Sequence, residues 1–306
     1  MIKFLKHSEI DKSRWDQCID QSDEAIVYAN SWYLDIVSPG WNALVAGDYN
    51  SVFPLTWRKK FGFIYLFQPV FTQQLGLFNA KVGDENILFN FLESIPPDYK
   101  LIEIQLNSGN SQLGIPASFR KIERLTHHLD LNTTEEELEN NFSENTRRNI
   151  KRFNKSGWQI KKNITPENLV DLFRQNRGKD ISQLKDKDYK AFLNICTEAK
   201  NRNLITILGA ADVSGFLQAG IVFLKTHSGY ILIFSALSNE GKENGAMAAL
   251  IADFIRSQAG IKGILDFEGS MDPGIARFYK SFASHEIVYL QIINNRLPIF
   301  LRWLKN

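Results

Sequence analysis

The sequence predicts an α/β fold with a mixed sheet, divided into two domains, and three observations carry that reading. The chain has 306 residues of which 44% are hydrophobic, enough for two cores of roughly 150 residues each. Segments with strand and helix periodicity alternate along the whole length instead of segregating. In the second half the order is helix, helix, three strands, helix, strand, helix, so a sheet there has helices to cover it.

In the first half, helices are predicted near Asp11 to Gln21 and over Ser31 to Val37, the second with Asn30 or Ser31 as its cap. Asn42 to Ala46 and Ser51 to Trp57 flank the turn Gly47-Asp48-Tyr49-Asn50, the pattern of a hairpin. Strands are predicted at Phe63 to Phe67, Leu75 to Phe78, Leu101 to Leu106 and Thr126 to Leu131. A helix is predicted over Glu85 to Leu92, ended by Pro96-Pro97. The aromatic run from Phe61 to Phe71 reads either as a base-stacking platform or as packing plus a cleft wall.

The domain boundary is expected between Asn140 and Asn141, giving domains 1–140 and 141–306. Charge inverts there. Thr133 and Thr134 lead into Glu135, Glu136 and Glu137, a helix start, and Arg147, Arg148, Lys151, Arg152 and Lys155 follow. On a helix the last four share a face. Such a face either neutralises phosphates or is merely solvated. Beyond it, helices are predicted at Pro166 to Asn176 and Asp188 to Asn201, then strands at Leu204 to Ala210, Leu217 to Leu224 and Tyr230 to Ala236, joined by short turns. Ser238 to Ala246 reads as a loop that opens a helix running from Met247 to Ala259.

Composition excludes several classes. The 36 basic residues nearly balance 34 acidic ones, for a net charge of +2, so any nucleic-acid role needs a local patch. Cys18 and Cys196 lie far apart, which is no disulfide framework and fits a reducing cytoplasm. No apolar signal core opens the chain, and no segment reaches the roughly 18 apolar residues of a membrane span. The histidines His7, His127, His128, His227 and His285 lack metal-ligand spacing, and no metal is expected. His127 and His128, adjacent on a strand, point to opposite faces. H-E-x-x-H, C-x-x-C, G-x-S-x-G and Walker patterns are all missing.

The stretch Ile264 to Phe282, ILDFEGSMDPGIARFYKSF, holds the most chemistry. A strand ends in two carboxylates, Asp266 and Glu268. A glycine break follows, and then a helix with Ile275, Phe278 and Phe282 on its core face and Tyr279 beside them. By pattern alone this is also an ordinary β–α turn with solvated charges.

These residues resemble the Fem-like branch of the GNAT acyltransferase superfamily. There a strand ending D-F-x-G precedes G-[IL]-x-x-F-[KY]-x-x-F, matched by Asp266, Phe267, Gly269, Gly274, Ile275, Phe278, Tyr279 and Phe282. Phe142 to Arg152, FSENTRRNIKR, resembles the branch's helix start S-x-[NK]-[TW]-R-[RN]-x-I-[KR]. With the matching element order, the resemblance covers most of the chain. It implies two tandem GNAT-like domains of the acyl-CoA N-acyltransferase fold, the first degenerate and on the acceptor side. It implies transfer of an acyl group from acyl-CoA or acetyl-CoA to an amine.

The site residues follow from the same resemblance. A backbone amide freed between Ser235 and Leu237 stabilises the oxyanion. The loop Ser238 to Ala246 holds the donor's phosphates, with Gly245 as its central glycine and Lys242 near the usual Gln/Arg place, while Met247 replaces the final small residue. An aspartate at Gly245 is therefore expected to oppose phosphate and leave the fold intact. Tyr279 protonates the leaving thiolate, beside Lys280, the neighbour of the lysine place in Fem transferases. Glu268 or Asp266 accepts the amine proton. Gln68, in a Q-P segment, and Arg147 belong to the acceptor side.

The Fem branch also implies a rival, transfer from aminoacyl-tRNA to a cell-wall precursor. Against it, Pro166 to Asn201 lacks the sustained heptads of the Fem coiled-coil insertion. A third reading keeps the fold as a non-catalytic binding protein.

Overall fold

The computed structural model describes residues 1–78, 86–180, 184–269 and 271–298. The chain forms two compact units, Met1–Leu125 together with the stretch from Val288 onward, and Thr126–Ile287. This differs from the expected division at Asn140 and Asn141. The acidic run that suggested a boundary is the start of a helix inside the second unit. The chain passes between units within two long strands, where composition gives no sign of a border.

In the first unit β1 (Ile2–Leu5), β2 (Asn42–Ala46) and β3 (Ser51–Leu55) form an antiparallel sheet. Two helices cover it: α1 (Lys12–Asp20), whose cap Asp11 accepts from the amides of Ser13 and Arg14, and α2 (Ser31–Val37). Trp15 and Trp41 meet edge to face at 4.6 Å, both fully buried, and Trp15 Nε1 donates to the Ala29 carbonyl at 2.7 Å. That partner offsets the desolvation of the indole N–H.

A second group of strands follows: β4 (Trp57–Lys60), β5 (Phe63–Leu66) and, after α3 (Ile87–Glu93), β6 (Tyr99–Gln105). The strand expected at Leu75 to Phe78 is absent. Leu75 and Phe78 make only isolated bridges, to Leu106 and Val52, because Gly76 at φ +107 breaks the extended run. The start of the helix expected at Glu85 lies outside the described residues. β1 and β4 are not among the expected strands: each has four residues, and three of the four in β4 are basic.

β7 (Arg120–Asp130) enters the second unit at Thr126, and α4 (Glu135–Asn140), α5 (Glu144–Lys155) and β8 (Gln159–Lys161) follow. Helices α6 (Pro166–Gln175) and α7 (Asp186–Asn201) lead to β9 (Ile205–Ala211), β10 (Leu217–Thr226) and β11 (Gly229–Leu237). Then come α8 (Asn239–Glu243), α9 (Ala246–Gln258), β12 (Ile264–Asp266), α10 (Pro273–Lys280) and β13 (His285–Asn295). From Val288, β13 belongs to the first unit and pairs antiparallel with β6. The sequence reading places no strand there, although Ile287, Val288, Tyr289, Ile292 and Ile293 carry the signal.

Within the second unit the strands run in the order β7, β12, β11, β10, β9, β8, all antiparallel except β11 with β12. Helix α9 is buried almost all round, and Phe254 stacks on Phe223 at 3.6 Å between centroids. On the other face Phe234 of β11 meets Phe173 of α6 and Phe192 of α7, at 5.0 and 4.4 Å. Truncating such a fully buried phenylalanine costs about 3–5 kcal/mol, so these contacts fix where β11 lies between its helices.

Among the described residues, no helix is long and apolar enough to cross a membrane. No group of three His, Cys, Asp or Glu could hold a metal ion among them. Cys18 and Cys196 are buried and not joined in a disulfide, and burial pushes the Cys196 pKa up to about 12.

Candidate active site

The site begins where two strands part. β11 and β12 pair at Gly229 with Ile264, Tyr230 with Leu265 and Ile231 with Asp266, and no further. β11 continues to Leu237, held on its other edge by β10. The Ser238 amide donates to the Gln218 carbonyl, on the β10 side, at 2.9 Å. Backbone alternation then points the Ala236 amide toward β10 and the Ser235 and Leu237 amides toward the edge that β12 has left. Both of these residues are expected to hold the donor's carbonyl. Ser235 is half-buried between the buried Phe234 and Ala236.

Opposite that edge, β12 ends at Asp266 with Glu268 two residues beyond, and their environments separate the two carboxylates. Asp266 accepts from the Thr126 hydroxyl and from the Glu268 amide, the latter at 2.8 Å, and its other oxygen lies 3.3 Å from His128 Nε2. Thr126 Oγ1 in turn accepts from the Gly269 amide at 3.0 Å. Asp266 is thus committed to holding the chain reversal. Glu268 has no such role. It sits at φ +51, left-handed backbone that is unfavourable for a side chain of its size. Its Oε1 is buried without a hydrogen-bond partner, and burial pushes its pKa up to about 8.

Tyr279 stands on α10 with its ring stacked on Phe267, 5.0 Å between centroids and 25° between planes. Burial, reinforced by Glu268, raises its pKa well above the ordinary tyrosine value, while Arg177, on the 3₁₀ turn after α6, opposes the shift. The hydroxyl therefore stays a proton donor at all working pH values. Lys280 points elsewhere: its Nζ lies 2.7 Å from Glu286 Oε1, and its side chain is 48% exposed.

His127 is not among the expected site residues. Its side chain is fully buried, its ring lies 6.1 Å from that of Tyr279, and neither ring nitrogen has a partner. Burial lowers its pKa against the pull of Glu286, whose Oε1 is 3.9 Å from Nε2. Of the seven buried side-chain atoms without a hydrogen-bond partner among the described residues, four belong to His127, His128 and Glu268, with His128 Nε2 keeping only its 3.3 Å contact with Asp266. Orphaned buried polar atoms are costly, and their concentration at the ends of β7 and β12 marks a place shaped for something polar. The signal was present in the sequence: of two adjacent histidines on a strand, one must face inward.

The expected phosphate loop has a different form. Residues Asn239–Glu243 make the helical turn α8, capped by Ser238 Oγ accepting from the Gly241 amide at 2.9 Å. Lys242 is exposed on it, and Ala246 is buried in the first turn of α9. Gly245 caps α9 at φ +73, and a Cβ there would lie 2.4 Å from the Asn149 carbonyl oxygen of α5. Both backbone conformation and packing demand glycine. An aspartate at this position would break the fold, contrary to the expectation of an intact one.

Helix α5 brings together the two stretches that carried the resemblance. The Thr146 hydroxyl lies 2.7 Å from Ser281 Oγ, the Ser143 amide donates to the Ser281 carbonyl at 2.8 Å, and Phe142 packs edge to face on Phe282 at 5.3 Å. Its basic residues are exposed. Arg147 donates to the Asn140 carbonyl at 3.0 Å and Arg152 to the Glu243 carbonyl at 2.6 Å, so both close helix ends. Gln68 lies in the first unit, where its Nε2 donates to the Thr72 carbonyl at 2.8 Å and its Oε1 accepts from the Gln105 amide at 2.9 Å. A cavity of about 340 Å³ in the second unit, against β9 and α9 and lined by Lys162, Asp253 and Ser257 among others, includes none of the expected site residues.

The arrangement of strands and helices can be set against solved structures. The fold is similar to that of FemX. The match covers 94% of this chain and 96% of the other at a TM-score of 0.64 and 12% identity. The C-terminal domain of a putative lysylphosphatidylglycerol synthetase from Agrobacterium fabrum matches over 93% of this chain and 91% of its own, TM-score 0.59 and 10% identity. L-PGS from Bacillus licheniformis matches over 95% and 93%, TM-score 0.56 and 12% identity. No family model and no curated protein matches the sequence. At these identities the likeness to FemX is one of fold, and the chemistry must come from the residues.

Proposed function

We propose that the second unit is an N-acyltransferase. The amine nitrogen attacks the donor's carbonyl carbon, the carbonyl oxygen takes negative charge, and the Ser235 and Leu237 amides stabilise it. Collapse of the tetrahedral intermediate breaks the bond from carbon to the leaving group, which takes a proton from Tyr279. The proton lost by the amine goes to Glu268, whose raised pKa makes it a competent base once ionised. The observation that carries this reading is the parting of β11 and β12 after Ile231 and Asp266, with Glu268 two residues past the last pair and Tyr279 stacked on Phe267.

The first donor reading is an acyl-CoA or acetyl-CoA thioester. The second is an aminoacyl-tRNA, with an amine on a cell-wall precursor as acceptor. One observation favours the second: the packing of Gly245 against Asn149 in place of an open phosphate loop. Titration calorimetry with acetyl-CoA, a longer acyl-CoA and a charged tRNA tests both readings. Binding of a thioester supports the first and binding of charged tRNA alone supports the second. Binding of none by the folded protein overturns the acyltransferase reading.

A further inference from the structure

The hairpin β4–β5 ends in a residue that folding does not explain. Lys60 pairs with Phe63, so Phe61 and Gly62 form a two-residue turn, with φ +50 and +82. Positive φ at both central positions is type I′ geometry, which favours Asn, Asp or Gly at the first of them. A phenylalanine stands there instead, at a conformational cost. It recovers nothing by burial, since Phe61 is 79% exposed.

The turn is also uniformly basic. Arg58, Lys59 and Lys60 lead into it, and no Asp or Glu occurs between Asp48 and Asp84. Lys60 Nζ stands 5.2 Å from the Phe61 ring centroid. β4 is the outermost strand of its sheet, and edge lysines discourage strand pairing. That accounts for Lys59 and Lys60 but not for an exposed aromatic between the strands.

Register separates the kinds of partner. Lys60 lies across from Phe63 and Arg58 across from Tyr65 on one face, and Lys59 across from Ile64 on the other. A nucleic-acid strand lies along one face and needs its cations there. A lipid surface meets a tip end-on and takes cations on both faces, with the aromatic ring between them at the level of the headgroups. We propose that the Lys59-Lys60-Phe61-Gly62 tip docks the protein on the surface of an anionic lipid bilayer.

The test is flotation of the full chain with vesicles of phosphatidylcholine alone and of equal parts phosphatidylcholine and phosphatidylglycerol. Binding to the anionic vesicles only, weakened by salt, is the expected result. Phe61→Asn puts a favoured residue into the turn, so thermal stability holds or rises while vesicle affinity falls at least about fivefold. The double change Lys59→Gln with Lys60→Gln lowers affinity about twentyfold. The proposal is overturned if the wild-type chain ignores anionic vesicles, or if both variants bind them as the wild type does. It is equally overturned if the tip governs binding to a single-stranded oligonucleotide and not to vesicles.

Discussion

Ile231 and Asp266 are the last residues at which β11 and β12 pair. Past them one strand keeps its neighbour and the other turns away through Glu268, at φ +51. The gap leaves the Ser235 and Leu237 amides without a strand partner on that edge, and beside it Glu268 Oε1 is buried without a hydrogen-bond partner.

Two buried groups there make stability depend on pH in opposite senses. Glu268 has its folded pKa raised from 4.5 to about 8, so folding favours the protonated form. Its contribution is full below 4.5 and is lost as pH rises to about 8, at about 1.4 kcal/mol for each pH unit crossed. His127 has its folded pKa lowered from 6.5, so its contribution is full above 6.5 and is lost as pH falls through the histidine range. Melting temperatures across pH should show Glu268→Gln flattening the alkaline limb and His127→Asn the acid limb. Identical profiles for Glu268→Gln and wild type would remove the buried-carboxyl assignment.

Tyr279→Phe removes only the hydroxyl and keeps the stack on Phe267. Turnover should fall roughly 10²-fold with donor affinity nearly unchanged. Lys280→Met breaks an exposed pair with Glu286 and should alter stability by less than about 1 kcal/mol, with turnover intact. The reverse pattern, an active Tyr279→Phe and an inactive Lys280→Met, would move the chemistry to the lysine.

Gly245→Ala should lower stability by more than about 1 kcal/mol, because the added methyl meets the Asn149 carbonyl and the backbone stays left-handed. Denaturant unfolding reads this directly. An unchanged midpoint would mean that α5 and α9 are less closely packed than described.

Thr146→Val keeps the shape of the side chain and deletes its hydrogen bonds to Ser281. A loss of about 1 kcal/mol is expected, without a change in slope on denaturant. No loss would show that the Ser143–Ser281 backbone bond and the Phe142–Phe282 contact suffice to hold α5 to α10.

Much of the fold was legible because period and turn chemistry agree in it: α2, β2 and the antiparallel run β9–β10–β11 fall within a few residues of expectation. The domain boundary was not, since it falls inside continuous strands. At the proposed site, the β–α order around Gly269 pointed to Tyr279 and Glu268, and their roles belong to the proposal. His127 was not singled out because the groups around it, Glu286 and Tyr279, are remote in sequence. Arg147 and Gln68 had polar character that the sequence cannot distinguish from ligand binding, and in the fold they bond to nearby backbone.

The central claim is that an acyl donor enters between β11 and β12. Backbone amide chemical shifts during titration with acetyl-CoA, and separately with charged tRNA, test it most directly. The account predicts the largest changes at the Ser235 and Leu237 amides, with Glu268 and Gly269 following, for whichever donor binds. Saturable binding that leaves those amides unmoved and perturbs the cavity at Lys162, Asp253 and Ser257 instead would contradict it.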